Sequence, residues 1–219
     1  MQKVVFWDVD TQYDFIMPDG KLCIPGAVDL LPNLARLTKT AQSHPDSVQV
    51  ISDVCDHEET DAEISSQPDF RQTFPPHCMR GTVGQMKVSS TELQNPLVLP
   101  HEKLEPSELR QKLLTHRGEF LILKKTLDVF SNPNTESLVQ WVDPSEIYLY
   151  GLALDFCDAC AIEGLLRLRR PNIFLVRDAV EAIDRKRGEA LVEGWRQRGV
   201  RIVTTGEVCE KFGGAQGKV

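Results

Sequence analysis

A strand-to-helix junction lies in residues 148–158, which read YLYGLALDFCD. The apolar run before Gly151 is typical of a buried parallel strand, and the alanine- and leucine-rich stretch from Asp155 to Arg169 predicts a helix. Cys157 therefore lies near the start of that helix, where free backbone N–H groups and the helix dipole favour a thiolate. The same N–H groups can hold an oxyanion that forms when a thiolate attacks a carbonyl. A buried structural cysteine is the alternative interpretation.

Strands and helices alternate along the rest of the chain. We expect strands at Val4–Val9, Val48–Ile51, Glu119–Lys124, Glu146–Tyr150, Ile173–Val176 and Arg201–Thr204. We expect helices at Ala27–Gln42, Ser107–Thr115 (with Ser107 as N-cap), Glu136–Val142, Asp155–Arg169 and Lys186–Arg198, and a last short helix capped by Thr205. Between Ser52 and Pro106 the chain is irregular and rich in proline and acidic residues, and loops of this length are usually functional or disordered. This order predicts a single α/β domain over residues 1–219, a Rossmann-like three-layer α/β/α fold with six parallel strands.

Composition narrows the classes of partner. The chain of 219 residues has 25 basic and 32 acidic residues, which gives a formal net charge of −7 and argues against a nucleic-acid or anionic-membrane surface. The N-terminal residues lack the pattern of a signal peptide, and no apolar run approaches the ~20 residues of a membrane span. Six cysteines without a secretory signal favour reduced thiols. We expect a soluble, cytoplasmic homo-oligomer that acts on a small molecule.

Reactive side chains follow three of the predicted strands. Asp10 follows the first strand, Lys124 and Lys125 end the third, and Cys157 follows the fourth. Open α/β sheets bind their ligands beyond the carboxyl ends of the strands, so these side chains can converge on one pocket. A carboxylate there can take the thiol proton, and an ammonium group can stabilise both thiolate and carboxylate. Each residue also has an ordinary interpretation, as a turn, cap or solvated side chain.

Four segments form a more specific pattern. They are residues 10–15 (DTQYDF), residues 74–84 (FPPHCMRGTVG), Lys125 with Phe130, and residues 151–157 (GLALDFC). Together they resemble the isochorismatase-like cysteine hydrolases, and most closely the nicotinamidase branch of that family. The resemblance covers nearly the whole chain. It implies a six-stranded parallel sheet with helices on both faces, in agreement with the alternation of predicted elements.

The resemblance implies a role for three residues. Asp10 would be the general base, Lys125 the charge stabiliser and Cys157 the nucleophile. Lys125 is preferred to Lys124 because of its spacing to Phe130. The implied catalytic triad is therefore Asp10, Lys125 and Cys157.

The resemblance also implies the shape of the pocket. The family usually has a cis peptide bond in this turn, here Leu152–Ala153. The backbone N–H groups of Ala153 and Cys157 would hold the oxyanion. Phe15 and Phe74 would wall the pocket and stack on a flat ring, whereas their ordinary interpretation is core packing.

The metal site that the resemblance implies is disturbed in this chain. Nicotinamidase-like proteins bind a divalent ion through an Asp-x-His pair and the histidine of Pro-Pro-His-Cys, which is His77 here. In the upstream sequence SDVCDH, Asp53 and His57 are four residues apart, and the residue two before His57 is Cys55. With a loop insertion the ligands would be Asp53, His57 and His77. With Cys55 in place of the aspartate the site would suit zinc, Asp56 is a further carboxylate candidate, and the last alternative is no metal.

The implied reaction is acyl transfer through a Cys157 thioester. The expected substrate is a small primary amide, with nicotinamide giving nicotinate and ammonia; other amides, ureido compounds and isochorismate-type ethers are alternatives on the same fold. A thiol redox protein is a different alternative, because Cys157 and Cys160 form a Cys-x-x-Cys at a strand-to-helix junction. A non-catalytic binding protein of this fold is another.

Overall fold

The computed structural model describes residues 3–169 and 172–213. Within them, seven parallel strands form one sheet in the order β3-β4-β2-β1-β5-β6-β7. The strands are β1 Val4–Val9, β2 Val48–Cys55, β3 Leu97–Leu99, β4 Phe120–Lys124, β5 Glu146–Leu152, β6 Asn172–Glu181 and β7 Arg201–Val203. The sheet thus has seven strands rather than the six predicted. The additional strand, β3, lies in the stretch that was predicted to be irregular.

Helices cover both faces of the sheet, which confirms the predicted three-layer α/β arrangement. They are α1 Tyr13–Ile16, α2 Leu31–Gln42, α3 Pro106–Thr115, α4 Thr135–Val142, α5 Cys157–Arg167, α6 Arg185–Gln197 and α7 Thr205–Gly213. Across the described ranges, none of the helices is long and apolar enough to cross a membrane.

The central strands are buried because helices lie above and below them. In β5 every residue from Ile147 to Leu152 is buried. Gly151 has φ +133°, and a Cβ there would lie 2.0 Å from the carbonyl oxygen of Val9 on the neighbouring strand β1. A side chain at Gly151 would therefore force β1 and β5 apart at the end of the sheet where the reactive residues lie.

Two helix starts differ from the predicted ones. Helix α3 begins at Pro106, whose missing N–H costs nothing in the first turn, so Ser107 is not the N-cap. At α7 the cap is Thr204 rather than Thr205. The backbone N–H of Glu207 donates to Oγ1 of Thr204 at 3.3 Å, and Oε2 of Glu207 accepts from the N–H of Thr204 at 2.7 Å. This reciprocal pair is a capping box.

Strand order brings the reactive segments together. Strands β4, β2, β1 and β5 are consecutive neighbours, so their carboxyl ends share one edge of the sheet. Strand β2 runs four residues further than predicted and ends at Cys55, which is paired with Lys124 of β4. The chain beyond β1 is tied to the same place, because the N–H of Asp10 donates to the carbonyl oxygen of Asp53 at 3.0 Å.

The packing of α5 on the sheet can be tested at Gly164. A Cβ at this position would lie 2.1 Å from Cδ2 of Phe130. The Phe130 ring is itself packed against Trp7, with ring centroids 6.3 Å apart. We expect Gly164→Ala to lower the free energy of unfolding by about 1–3 kcal/mol, because the Phe130 ring must move. Urea-induced unfolding followed by circular dichroism measures this change.

Gly194→Ala is the matched control for this experiment. Gly194 lies inside α6, and a Cβ there meets no atom within 4 Å. The substitution should raise the free energy of unfolding by up to about 1 kcal/mol, because alanine favours the helix more than glycine does. Stabilisation by both substitutions would contradict the tight contact between Gly164 and Phe130.

Candidate active site

Three buried reactive groups meet at the carboxyl edge of the sheet. Nζ of Lys124 lies 2.6 Å from Oδ2 of Asp10 and 3.6 Å from Sγ of Cys157. The Asp10 carboxylate also lies beside the Cys157 thiol, where it adds to the effect of burial in raising the pKa of that thiol. All three side chains are buried. A carboxylate, an ammonium group and a thiol are therefore in mutual contact, shielded from bulk water.

Lys125 lies outside this cluster, and the prediction that it joins Asp10 and Cys157 is wrong. Its Nζ lies 2.7 Å from Oε2 of Glu58 and 2.9 Å from Oδ1 of Asp61, in two salt bridges. In this position the lysine is partly exposed to solvent.

The alternation of side chains along β4 explains which lysine enters the site. Phe120, Ile122 and Lys124 are buried, whereas the residues between them are only partly buried. Successive side chains of a strand point to opposite faces, so Lys124 shares its face with two core residues. This alternation is visible only in the structure, because the sequence FLILK is apolar at all four positions before the lysine. The spacing from Lys125 to Phe130 was the weaker guide because it crosses a turn.

The Asp10 carboxylate is held by both of its oxygens. Oδ1 accepts a hydrogen bond from the backbone N–H of Cys55 at 3.1 Å, and Oδ2 faces Lys124. Gln12 secures the same piece of backbone, because its Oε1 accepts from the Cys55 N–H and its Nε2 donates to the Cys55 carbonyl, each at 2.8 Å. Asp10 itself has φ 47°, a left-handed conformation that aspartate tolerates better than most residues.

The resting protonation state of Cys157 differs from the thiolate that we expected at the start of a helix. Burial raises the pKa of the Cys157 thiol well above its usual range, and the Lys124 ammonium lowers it too little to compensate. Burial lowers the pKa of Lys124, but Asp10 and the neighbouring sulfur groups together raise it by a larger amount. The amine therefore stays protonated. The resting nucleophile is thus a thiol rather than the expected thiolate. A base must take its proton during reaction, and the Asp10 carboxylate lies beside it.

The turn before Cys157 has the predicted backbone. The peptide bond between Leu152 and Ala153 is cis, as the resemblance implied. Helix α5 begins at Cys157, so the Cys157 N–H belongs to the first turn, where N–H groups have no partner within the helix. Asp155 anchors the turn, because its two carboxylate oxygens accept from the N–H groups of Ile183 and Asp184 at 2.9 and 3.0 Å.

A narrow cavity lies next to Cys157, and most of its wall is apolar. The structure places both predicted aromatic residues, Phe15 and Phe74, in that wall. Phe156 is an aromatic wall residue that the sequence patterns did not indicate, and it packs edge-on against Phe74 with ring centroids 5.6 Å apart. Ala153 also lines the cavity, so a predicted oxyanion-binding residue faces the space beside the thiol.

Cys55, His57 and His77 form a buried group of potential metal ligands, and Cys55 and His77 belong to the polar part of the cavity wall. One ligand atom of each residue lies within 4.8 Å of the others. Nδ1 of His77 lies 2.8 Å from the carbonyl oxygen of Pro75, and Nδ1 of His57 lies 3.3 Å from Oδ2 of Asp61. Burial lowers the pKa of His57 to about 4, so the ring is neutral. Its Nε2 is buried and has no hydrogen-bond partner among the described residues, which fits a metal ligand.

Asp53 does not belong to this group, so the structure does not bring the predicted ligands Asp53, His57 and His77 together. Strand β2 continues regularly to Cys55, so no insertion brings Asp53 forward. Its Oδ2 accepts a hydrogen bond from Nε1 of Trp7 at 2.8 Å, and burial raises its pKa to about 8. Asp56 is engaged elsewhere, because its Oδ2 lies 2.6 Å from Nη2 of Arg80.

Glu63 is a site residue that the sequence did not reveal. Its Oε1 lies 3.7 Å from Nε2 of His57 and 3.9 Å from Nε2 of His77. Burial raises the pKa of Glu63 to about 7, and Oε1 has no hydrogen-bond partner among the described residues. Glu63 lies in the long irregular stretch, where no periodicity or spacing distinguishes it from other acidic residues.

Comparison with known sequences finds one distant similarity. No family model matches the chain. A protein of Arabidopsis thaliana, described as a probable inactive nicotinamidase, is 21% identical over 206 residues and covers 93% of each chain.

Comparison with solved structures shows the fold. An isochorismatase family protein from Desulfovibrio vulgaris has a TM-score of 0.72 at 19% identity and covers 97% of this chain and 100% of its own. Pyrazinamidase of Pyrococcus horikoshii in complex with zinc has a TM-score of 0.68 at 20% identity and covers 92% of this chain and 99% of its own. N-carbamoylsarcosine amidase from Thermoplasma acidophilum has a TM-score of 0.69 at 19% identity and covers 93% of this chain and 96% of its own. The chain therefore has the isochorismatase-like hydrolase fold.

The two lysines at the end of β4 can be separated by the reactivity of the Cys157 thiol. We expect Lys124→Met to slow alkylation of Cys157 by iodoacetamide at pH 9 by about tenfold or more, because the nearby ammonium group favours the thiolate. Mass spectrometry of the Cys157 peptide gives the rate, and circular dichroism checks that the variant is folded.

Lys125→Met is the matched control, since its amine contacts the carboxylates of Glu58 and Asp61 instead. Its Cys157 should react at the parental rate. Slow alkylation in Lys125→Met together with a parental rate in Lys124→Met would reverse the assignment.

Proposed function

We propose that this protein is a cysteine amidohydrolase that cleaves small, uncharged primary amides, with nicotinamide as the first candidate. The observation that carries the proposal is the three-way contact of Asp10, Lys124 and Cys157 beside a cavity with aromatic walls. A base, a fixed positive charge and a nucleophile in contact are the parts that thiol-based acyl transfer needs.

The proposed steps follow from these contacts. Asp10 takes the proton of Cys157 as the sulfur attacks the amide carbonyl, and the Lys124 ammonium offsets the negative charge that develops. The N–H groups of Ala153 and Cys157 donate to the oxyanion. The carbon–nitrogen bond then breaks, Asp10 returns the proton to the departing ammonia, and water hydrolyses the thioester to release the acid.

The cavity favours uncharged substrates. Among the described residues, its wall contains no lysine or arginine, and its acidic member is Glu63. A substrate carboxylate would therefore have no lysine or arginine partner in the wall, since Lys124 already faces Asp10. Phe15, Phe74 and Phe156 instead offer ring surfaces on which a flat aromatic amide can pack. These features favour amides over the ether and ureido substrates that carry a carboxylate.

The comparisons support the same chemistry. Similar folds occur in proteins named nicotinamidase, pyrazinamidase and N-carbamoylsarcosine amidase. The Arabidopsis thaliana relative is described as probably inactive. In this chain, however, the carboxylate, the ammonium group and the thiol are all present and in contact. We therefore propose a catalytically active protein.

We also propose that Cys55, His57 and His77 hold a zinc ion, with the Glu63 carboxylate next to both histidines. One sulfur and two imidazole nitrogens form a donor set that zinc accepts well. The bound ion would supply a positive charge at the polar end of the cavity, where it can polarise or orient a polar group of the substrate. The zinc complex of the Pyrococcus horikoshii pyrazinamidase supports this assignment.

Two cysteine variants on one helix test the proposed reaction. We expect Cys157→Ala to abolish release of ammonia from nicotinamide, because the sulfur that forms the proposed thioester is removed. Cys160→Ala, which changes a partly buried thiol one turn along α5, should retain most of the activity. With purified protein and zinc, ammonia release is measured for nicotinamide and an N-carbamoyl compound, and loss of the ether is followed by chromatography for an isochorismate-type ether.

The outcomes distinguish the alternatives. Full turnover by Cys157→Ala would refute the assignment of Cys157 as the nucleophile. Equal losses in both variants, together with reduction of a disulfide substrate by the parent, would favour the thiol redox alternative. Failure of the parent to cleave any member of the panel would reject the proposed substrate class.

A further inference from the structure

We propose that Asp61 and Lys125 act as a pair that positions His57 for metal binding. The inference rests on the proposed metal site of Cys55, His57 and His77. It assigns a role to Lys125, which the catalytic cluster does not use.

The first step is the contact between Asp61 and His57. Oδ2 of Asp61 lies 3.3 Å from Nδ1 of His57, and both side chains are largely shielded from solvent. A carboxylate next to Nδ1 keeps the ring proton on that nitrogen. The lone pair is then on Nε2, which is the nitrogen that lies near Glu63 and has no hydrogen-bond partner within the described part of the chain. Carboxylates of this kind fix the orientation of metal-binding histidines and increase their basicity.

The second step is the way in which Asp61 itself is held. Oδ2 also accepts a hydrogen bond from the backbone N–H of Glu58 at 2.9 Å, and Oδ1 accepts from Nζ of Lys125 at 2.9 Å. Lys125 makes a second salt bridge to Oε2 of Glu58 at 2.7 Å. The lysine therefore ties both ends of the short segment from Glu58 to Asp61 to the end of β4.

The two candidate ligand histidines differ in the group that faces their Nδ1 atom. Nδ1 of His77 faces the neutral carbonyl oxygen of Pro75, whereas Nδ1 of His57 faces a carboxylate with a lysine behind it. His57 is thus the ligand whose affinity for a metal ion depends on side chains that can be replaced individually. The Lys125 side chain is 29% exposed, so changing it disturbs little of the core.

Zinc affinity of the purified metal-free protein tests the proposal. Competition with a chromogenic chelator at pH 7 gives the dissociation constant without any measurement of hydrolysis. We expect Asp61→Ala to weaken zinc binding by about 10–100-fold. Asp61→Asn, which keeps an oxygen acceptor without the charge, should have a smaller effect.

The same titration tests the part played by Lys125. Lys125→Met should weaken zinc binding in the same direction but less than Asp61→Ala, and Lys125→Arg should restore most of the affinity. The double variant Asp61→Ala/Lys125→Met should bind zinc no more weakly than Asp61→Ala alone, because Lys125 acts through Asp61. Thermal unfolding of the metal-free variants shows whether a change in fold accounts for any loss.

Lys112→Met is the matched control. Lys112 forms an exposed pair with Glu108 on α3, with the charged atoms 3.5 Å apart. The Lys112→Met variant should bind zinc with the affinity of the parent protein. Parental affinity in Asp61→Ala, or additive losses in the double variant, would overturn the proposal. Absence of zinc binding by the parent would overturn it together with the metal site, whereas cleavage of nicotinamide has its own separate assay.

Discussion

The buried ion pair between Lys124 and Asp10 is the interaction on which the rest of the site depends. Removing two charges from water costs several kcal/mol for each ion, and their attraction offsets this only when the geometry is good and the remaining polar atoms are satisfied. Here the oxygen and nitrogen are 2.6 Å apart, and the second oxygen of Asp10 accepts from the Cys55 N–H. The partners lie at the ends of β4 and β1, with β2 between them, so the site exists only when the sheet is complete.

Cys55 joins the catalytic cluster to the potential metal ligands. Its Sγ lies 3.0 Å from Nζ of Lys124, and the same sulfur belongs to the group with His57 and His77. Burial raises the pKa of the Cys55 thiol well above its usual range, so the thiolate form needs nearby positive charge. The Lys124 ammonium supplies some of that charge from one side, and the other side is where a metal ion would bind. The Cys55 sulfur thus lies between the Lys124 ammonium group and the proposed position of the metal ion.

The sequence predicted the layers of the fold better than the ends of its strands. Strand β3 was missed because it has three residues and only Leu99 is buried, which is too short for a periodic signal. Strand β2 was predicted too short because Ser52 and Asp53 are polar, although both are buried. Polar residues enter a central strand here because they lie beneath the site, where Trp7 and Lys87 provide hydrogen-bond partners.

By itself the sequence determined the α/β architecture and placed Asp10 and Cys157 at strand ends, because hydrophobic periodicity and turn residues are local signals. The sequence placed Lys124 and Lys125 at the end of one strand and favoured Lys125, whereas the burial of alternate residues in the structure distinguishes Lys124. Only the tertiary structure decided that Cys55 and Glu63, rather than Asp53, lie beside the two histidines. That choice depends on how far each side chain is from the end of its strand and on what the long loop brings back across the sheet. Neither quantity is encoded in spacing along the chain.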